Sequence, residues 1–230
     1  GLKVDSEVLP PGILQKVDLK SPATTVALLK MNAVVGLKGT VETKDGKDTL
    51  TRVGITCALC HSTVDDSVMP GIGKRLDGWP NRSLNPGAII ALSPALDEAK
   101  KKVYNSWGAG KYDPRFNQDG KNGPVLIPPA YGLAGSKHAT YTGDGDISYW
   151  NNYVAVTQMA GHGAFKEPRL GINVEAKGED LVKPKLPALR EYQHSLAKPA
   201  PAAGSFEAGA AQRGQAVFRG AGKCATCDGG

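Results

Sequence analysis

The sequence is short of large side chains and of long apolar stretches. Aromatic residues make up 6% of the 230 residues, whereas 29 glycines and 16 prolines favour turns and loops. No apolar run reaches the roughly 18 residues that span a bilayer, and the sequence does not open with the charged and then apolar segment of an export leader. If the protein is exported, we expect Gly1 to lie after the cleavage site. Because large core side chains are few, we also expect something other than protein to fill part of the core.

Several motifs that identify enzymes or nucleic-acid-binding modules are also absent. The sequence contains no GxGxxG, Walker or GxSxG pattern. The formal net charge is +6, but the lysines are spread, and no Arg-rich or aromatic-basic stripe indicates nucleic-acid binding. The charge therefore has two interpretations: an ordinary solvated surface with a basic bias, or a docking surface for an acidic partner.

The pattern along the chain predicts helices separated by loops, with one β-hairpin. Asp45-Gly46 is a hairpin turn signal inside a β-like segment over residues 33–55. Capping residues and apolar spacing predict helices over 21–31, 93–107, 147–156, 187–196 and from 206 onwards. Residues 62–90 and 108–145 are rich in Gly and Pro and are predicted as loops. Residues 199–205 have the composition of a linker, which divides the chain into a domain at 1–198 and an incomplete unit at 206–230.

The clearest chemical signal is Cys57-Ala58-Leu59-Cys60-His61, which has the pattern of a c-type haem attachment site. Two thiols at this spacing can add to the two vinyl groups along one porphyrin edge, and the adjacent histidine then lies under the iron. A zinc site would need two further ligands at matching spacing. A redox dithiol is expected between a strand and a helix of a βαβ unit, and no such unit is apparent. Zinc and dithiol chemistry remain the alternatives to haem.

The residues around this motif resemble the class I cytochrome c family, and more closely the periplasmic di-haem cytochromes c. The resemblance covers about 21–197 and is carried by the motif and by three further stretches, at 70–76, 149–159 and 186–196. It implies a mainly α fold of the class I cytochrome c type, with long loops and a small hairpin inserted before the haem motif. It further implies a periplasmic or otherwise extracytoplasmic protein that carries single electrons between redox partner proteins.

A second cysteine pair lies near the end of the sequence, in Cys224-Ala225-Thr226-Cys227-Asp228. The preceding stretch at 213–218 resembles the first helix of a second cytochrome unit. Asp228 stands where the family has its iron-binding histidine, so either the sequence is a fragment with uncertain last residues or this site binds no haem. The fragment interpretation is favoured, and it implies a second haem at Cys224 and Cys227 in the intact protein.

The resemblance also implies roles for residues beyond the motif. The candidates for the sixth iron ligand opposite His61 are Met31, Met69, Met159, His138, His162 and His194. Met159 is favoured because it follows an apolar helix and lies in a Gly-rich turn, as the methionine loop of the family does. A carbonyl near Pro70 is expected to orient His61. Propionate contacts are expected from Arg75, Trp79, Arg82 and Tyr131.

The sequence favours an electron carrier over an enzyme, with no nucleic-acid partner and no membrane span. One alternative is a di-haem peroxidase-like protein, in which the loop at 108–145 would form a pocket. Another is a cytochrome subunit that delivers electrons to or from a larger dehydrogenase. A zinc protein without haem is the third.

Overall fold

The computed structural model describes residues 1–140 and 142–226. The helices are α1 Pro22–Lys30, α2 Ala58–His61, α3 Pro86–Ala91, α4 Glu98–Ser106, α5 Phe116–Asp119, α6 Ile147–Thr157, α7 Leu186–Ser195 and α8 Ala208–Arg219. The strands are β1 Val4–Asp5, β2 Leu37–Lys44, β3 Lys47–Ile55, β4 Ser62–Val64, β5 Ile72–Gly73, β6 Arg75–Asp77, β7 Lys111–Tyr112, β8 Val125–Leu126, β9 Phe165–Glu167 and β10 Ile172–Val174.

The prediction of a mainly α, class I cytochrome c fold is wrong. The chain is a mixed α/β protein in which 34% of the residues are helical and 17% lie in strands. The Gly/Pro-rich segments predicted as loops contain two- and three-residue strands: β4 pairs with β6, β7 with β8, and β5 with β1 near the start of the chain. Such strands are too short to show the alternation of apolar and polar residues by which a strand is predicted.

The predicted hairpin is confirmed as β2–β3. The strands pair antiparallel from Leu37 opposite Ile55 to Lys44 opposite Lys47, with one irregularity after Thr40. Asp45 and Gly46 both have positive φ, 50° and 74°, as a two-residue turn between twisted strands requires. At the open end, Thr56 N–H donates to the Gly36 carbonyl at 2.8 Å. The chain therefore enters Cys57 directly from a closed hairpin.

The apolar core is divided into clusters. One joins Leu28 and Leu29 of α1 to Ala33 and Val34, with Leu50 of the hairpin packed against it. Another contains four buried side chains from α6, β9 and β10: Tyr153, Val156, Phe165 and Ile172. A third group consists of edge-to-face aromatic rings around the buried Trp107, namely Tyr104, Tyr112 and Phe116. The first of these clusters packs against Leu37 and Leu50 of the hairpin that leads into the cysteine motif.

The helix predictions agree with the structure to different degrees. Helix α6 begins as predicted, because the Asp146 side chain accepts a hydrogen bond from Tyr149 N at 2.8 Å. Helix α4 begins at Glu98 after the cap Asp97, later than the predicted start at 93. Helix α3 was not predicted, although Asn85 caps it and Pro86 occupies its first turn. Among the described residues, no helix has both the length and the apolar character needed to cross a bilayer.

Candidate functional site

The segment from Cys57 to His61 is held by its backbone from two sides. The peptide of Leu59 passes so close to Gly36 that a Cβ on Gly36 would lie 2.1 Å from Leu59 N. On the other side, Asn81 N–H donates to the Cys60 carbonyl at 2.8 Å, and its side-chain amide donates to Leu59 O at 3.3 Å. Asn81 is 2% exposed. Gly36 and Asn81 therefore fix the turn that carries both cysteines.

The two thiols of this segment are half-buried and form no disulfide with another cysteine of the described residues. Burial raises the pKa of Cys57. Burial, with the charge of Cys57 adding to it, raises the pKa of Cys60 from 9.0 to about 11. A redox or nucleophilic cysteine needs the opposite shift, since the thiolate is the reactive form. The raised pKa values of Cys57 and Cys60 therefore argue against the dithiol alternative.

His61 is oriented by a backbone carbonyl. Its Nδ1 lies 3.0 Å from the Pro128 carbonyl oxygen. Because a carbonyl oxygen only accepts, Nδ1 carries the proton and the Nε2 lone pair is left for another partner. Burial lowers the pKa of His61, although the hydrogen bond to Pro128 acts in the opposite direction. The imidazole is thus held neutral in the tautomer that binds a metal through Nε2.

The carbonyl that orients His61 was expected near Pro70. The structure instead gives this role to Pro128, in a segment predicted only as a Gly/Pro-rich loop. Pro70 is exposed and lies in the turn where Met69 bridges Ile72. The Pro128-Pro129 pair was visible in the sequence, but nothing local indicated that it would meet a histidine so distant along the chain.

The candidate sixth ligands differ in their surroundings. Met159 is half-buried and follows Gln158, the C-cap of α6. Met31 packs against the cluster of α1, and Met69 is 41% exposed. His138 and His162 are exposed, and His162 Nε2 lies 2.7 Å from the Lys177 carbonyl. His194 lies in the last turn of α7 and is half-buried.

A path of contacts leads from the cysteine motif towards Met159. Tyr112 lies opposite Val125 in the β7–β8 pair, three residues before Pro128, whose carbonyl lies 3.0 Å from His61 Nδ1. The Tyr112 hydroxyl donates to Gln158 Oε1 at 3.1 Å, and Gln158 immediately precedes Met159. Neither Tyr112 nor Gln158 was identified from the sequence, because a side-chain hydrogen bond across 46 residues has no local signal.

The residues expected to contact haem propionates are only partly brought together. Trp79 and Tyr131 pack with ring centroids 5.6 Å apart. Arg75 instead pairs with Asp77, Nε to Oδ1 at 2.6 Å, and Arg82 is exposed. Asp77 also accepts hydrogen bonds from Ser62 at 2.7 Å and from Tyr192 at 2.6 Å.

Cys224, the first cysteine of the second pair, lies in a different environment. Helix α8 before it is almost wholly exposed. Cys224 is exposed in a 3₁₀ turn, with its Sγ 3.4 Å from the Gly222 carbonyl. Cys227 and Asp228 lie outside the described residues, so the arrangement predicted there has no structural counterpart.

Within residues 1–140 and 142–226, no three His, Cys, Asp or Glu side chains come together as a metal-binding group. This part of the chain therefore offers no complete protein-only zinc site around Cys57 and Cys60. Comparisons with protein-family models, curated proteins and solved structures gave no match.

Proposed function

We propose that the chain binds haem covalently through Cys57 and Cys60, with His61 as an axial iron ligand, and that it transfers single electrons. The observation that carries this proposal is the 3.0 Å contact between His61 Nδ1 and the Pro128 carbonyl. A histidine held in this way presents Nε2, and it does so directly beside the two cysteines. Resemblance to c-type cytochromes at residues 57–61 and 149–159 adds support.

The residues present fit this group. Both thiols are protonated near neutral pH, and each S–H bond can add across one vinyl group. The sulfur then bonds to one vinyl carbon and the hydrogen passes to the other, so no oxidant is consumed. The backbone contacts of Leu59 with Gly36 and Asn81 hold the turn in place, which keeps the two sulfurs and the imidazole at a constant spacing.

The bound haem supplies one-electron chemistry through its iron. The chain's own residues hold it and set its properties. The Pro128 carbonyl keeps His61 in a single orientation and makes Nε2 a stronger donor, as carbonyl and carboxylate partners do for metal-bound histidines. Met159 is proposed as the sixth ligand, because it is half-buried and its neighbour Gln158 accepts a hydrogen bond from Tyr112 of β7, which pairs with β8 just before Pro128. A thioether ligand raises the reduction potential relative to a second histidine.

We extend the proposal to an extracytoplasmic location and to docking with acidic redox partner proteins. The net charge of +6 supports the second point, because basic surfaces speed encounter with acidic ones. This steering weakens as salt is added.

The proposal is tested by producing the chain in cells that attach c-type haem. We expect Soret absorption, a reduced α-band and one haem per chain bound to Cys57 and Cys60. A weak ferric band at the red end of the visible spectrum would indicate Met ligation. In the matched Cys57→Ser/Cys60→Ser variant, covalent haem should be lost. A colourless wild-type protein, or one that contains zinc, would overturn the proposal.

The same sample separates the carrier from a peroxidase-like enzyme. We expect no turnover of hydrogen peroxide, because both axial positions are occupied in the proposed site. Peroxide turnover, together with tight binding of added ligands to the iron, would show an open distal position and an enzyme instead.

A further inference from the structure

The side chain of Gln158 fixes the end of helix α6 immediately before Met159. Its Nε2 lies 2.9 Å from the Pro114 carbonyl, 2.8 Å from Asn117 Oδ1 and 2.8 Å from Thr157 Oγ1. Because the Pro114 carbonyl only accepts, the amide nitrogen must face it. The other end of the amide, Oε1, therefore accepts from the Tyr112 hydroxyl at 3.1 Å.

The backbone after Gln158 makes a tight turn. Met159 N–H donates to Val154 O at 3.1 Å, and Gly161 N–H donates to Ala155 O at 2.7 Å. Between them, Ala160 has a positive φ of 53°, which non-glycine residues seldom adopt. A Cβ on Gly161 would lie 2.6 Å from Ala155 O. The backbone position of Met159 is therefore defined on both sides, by Gln158 before it and by this turn after it.

The Tyr112–Gln158 hydrogen bond joins the residue before Met159 to the β7–β8 pair, and Pro128, whose carbonyl contacts His61, follows β8. Tyr112 belongs to β7 and its ring packs on Trp107, with centroids 5.7 Å apart. Trp107 is 2% exposed, so the ring of Tyr112 has a buried support. Met69, another of the candidate sixth ligands, is by contrast 41% exposed.

We propose that Gln158 and Tyr112 are positioning residues that hold Met159 at the haem iron. The inference rests on the function proposed above, and it assigns these two side chains a role of their own. Neither is expected to touch the iron. Their hydrogen bonds reduce the fraction of time that the Met159 sulfur spends away from it.

The test measures how easily an added ligand displaces Met159 in the ferric holoprotein. When the methionine is held less firmly, the apparent Kd of imidazole falls in proportion to the rise in the open fraction. One neutral hydrogen bond contributes about 1 kcal/mol, so Tyr112→Phe should lower this Kd roughly five-fold. Gln158→Ala removes several bonds and should lower it at least ten-fold. Both variants should weaken the red-end ferric band.

The matched control is Tyr149→Phe, because Tyr149 is also a half-buried tyrosine. Its hydroxyl donates to Glu167 at 3.1 Å, the same distance as in the Tyr112–Gln158 pair. We expect an unchanged Kd for imidazole in this variant. Equal shifts in all three variants would overturn the inference, since they would reflect general loosening. Because Gln158→Ala could fail to fold, the milder Tyr112→Phe variant carries the decision in that case.

The two proposals fail in distinguishable ways. If the wild-type chain carries haem but Met159→Ala leaves the red-end band and the Kd of imidazole unchanged, Met159 is not the ligand and the positioning inference falls alone. The same holds if Tyr112→Phe and Gln158→Ala leave both quantities unchanged. If the wild-type chain carries no haem, the proposed function falls and the inference falls with it.

Discussion

The two cysteine pairs have similar sequences, but Cys57 and Cys60 lie in surroundings different from those of Cys224. The first lies in a turn packed between Gly36 and the buried Asn81, and the histidine that follows it is bonded to Pro128. The second follows an exposed helix, and its first cysteine is itself exposed. A CxxC pair in the sequence is thus, by itself, a weak indicator of a preorganised binding site. Within the described residues, the first segment is distinguished by the distant residues that contact it, Gly36, Asn81 and Pro128.

The largest expected difference between the pairs is in covalent haem. Replacing Cys57 and Cys60 by serine should remove all covalent haem from the chain. Replacing Cys224 and Cys227 by serine in this sequence should leave haem per chain and the visible spectrum unchanged, because Asp228 follows the second pair. Haem quantification and intact-mass measurement determine the covalent haem content of both double variants. Haem found on Cys224 would contradict the comparison.

A pair of glycine substitutions should show how differently the two regions are packed. Gly36→Ala places a Cβ 2.1 Å from Leu59 N at a residue with φ of +78°. Overpacking and backbone strain together should lower the free energy of unfolding by about 3 kcal/mol or more. Gly214→Ala lies within α8, where a Cβ would meet no atom within 4 Å.

For Gly214→Ala we expect local helix stability to rise by about 0.5–1 kcal/mol. Denaturant unfolding followed by tryptophan fluorescence should show a large decrease in the free energy of unfolding for Gly36→Ala and no change for Gly214→Ala. Far-UV circular dichroism should show a slightly more helical α8. Equal denaturation midpoints for Gly36→Ala and the wild type would mean that the contact with Leu59 does not constrain the motif.

The thiols of the two regions should differ in reactivity. In chain produced without haem attachment, the pKa of about 11 for Cys60 instead of 9.0 lowers its thiolate fraction near pH 8 by roughly 100-fold. Iodoacetamide should therefore modify the exposed Cys224 well before Cys60, and the rate at Cys60 should keep rising up to about pH 11. Peptide mass spectrometry at several pH values measures this. Fast modification of Cys60 at pH 8 would favour a redox dithiol.

The smallest expected effect concerns acid stability. Arg169 beside Glu167 lowers the pKa of this carboxyl from 4.5 to about 2, with a shortest separation of 2.7 Å. Because the folded-state pKa is depressed, the stabilisation is complete above about pH 4.5 and is lost as the pH falls towards 2. Glu167→Gln should therefore lower stability at pH 6 and flatten the loss below pH 4.5.

The matched substitution for Glu167 is at Glu207, the N-cap of α8. Glu207 and Arg213 are 3.5 Å apart and both are largely exposed, so Glu207→Gln should leave the global unfolding transition unchanged at every pH. Thermal unfolding between pH 3 and 7 measures both variants. If Glu207→Gln lowered the thermal stability as much as Glu167→Gln, α8 would unfold together with the rest of the chain.

Local signals in the sequence predicted local structure well. The hairpin around Asp45-Gly46 and helix α6 after Asp146 were predicted with nearly their observed bounds, because a turn and a cap each depend on adjacent residues. The fold class was wrong because pairings such as β1 with β5 involve only two residues from each strand. Strands of that length are determined by contacts with distant segments, not by their own composition.

The candidate site likewise contains residues that local sequence identifies and residues that only distant contacts reveal. Cys57, Cys60 and His61 form a contiguous motif and could be identified from the sequence. Their supports could not, because Pro128 meets His61 across 67 residues. The expected carbonyl near Pro70 was the nearer choice along the chain, and the structure shows that nearness in sequence was the wrong criterion for a group held by tertiary contacts.

The β2–β3 hairpin also sets a defined distance between its tip and the cysteine motif. Its open end is closed by the Thr56–Gly36 hydrogen bond immediately before Cys57, and its tip at Asp45-Gly46 lies beyond the nine residues of β3. At about 3.3 Å per residue, the tip lies roughly 30 Å along the strand from the thiols. A fluorophore attached at the tip would report, through energy transfer, when an absorbing group occupies the cysteine motif, without altering any residue that holds it.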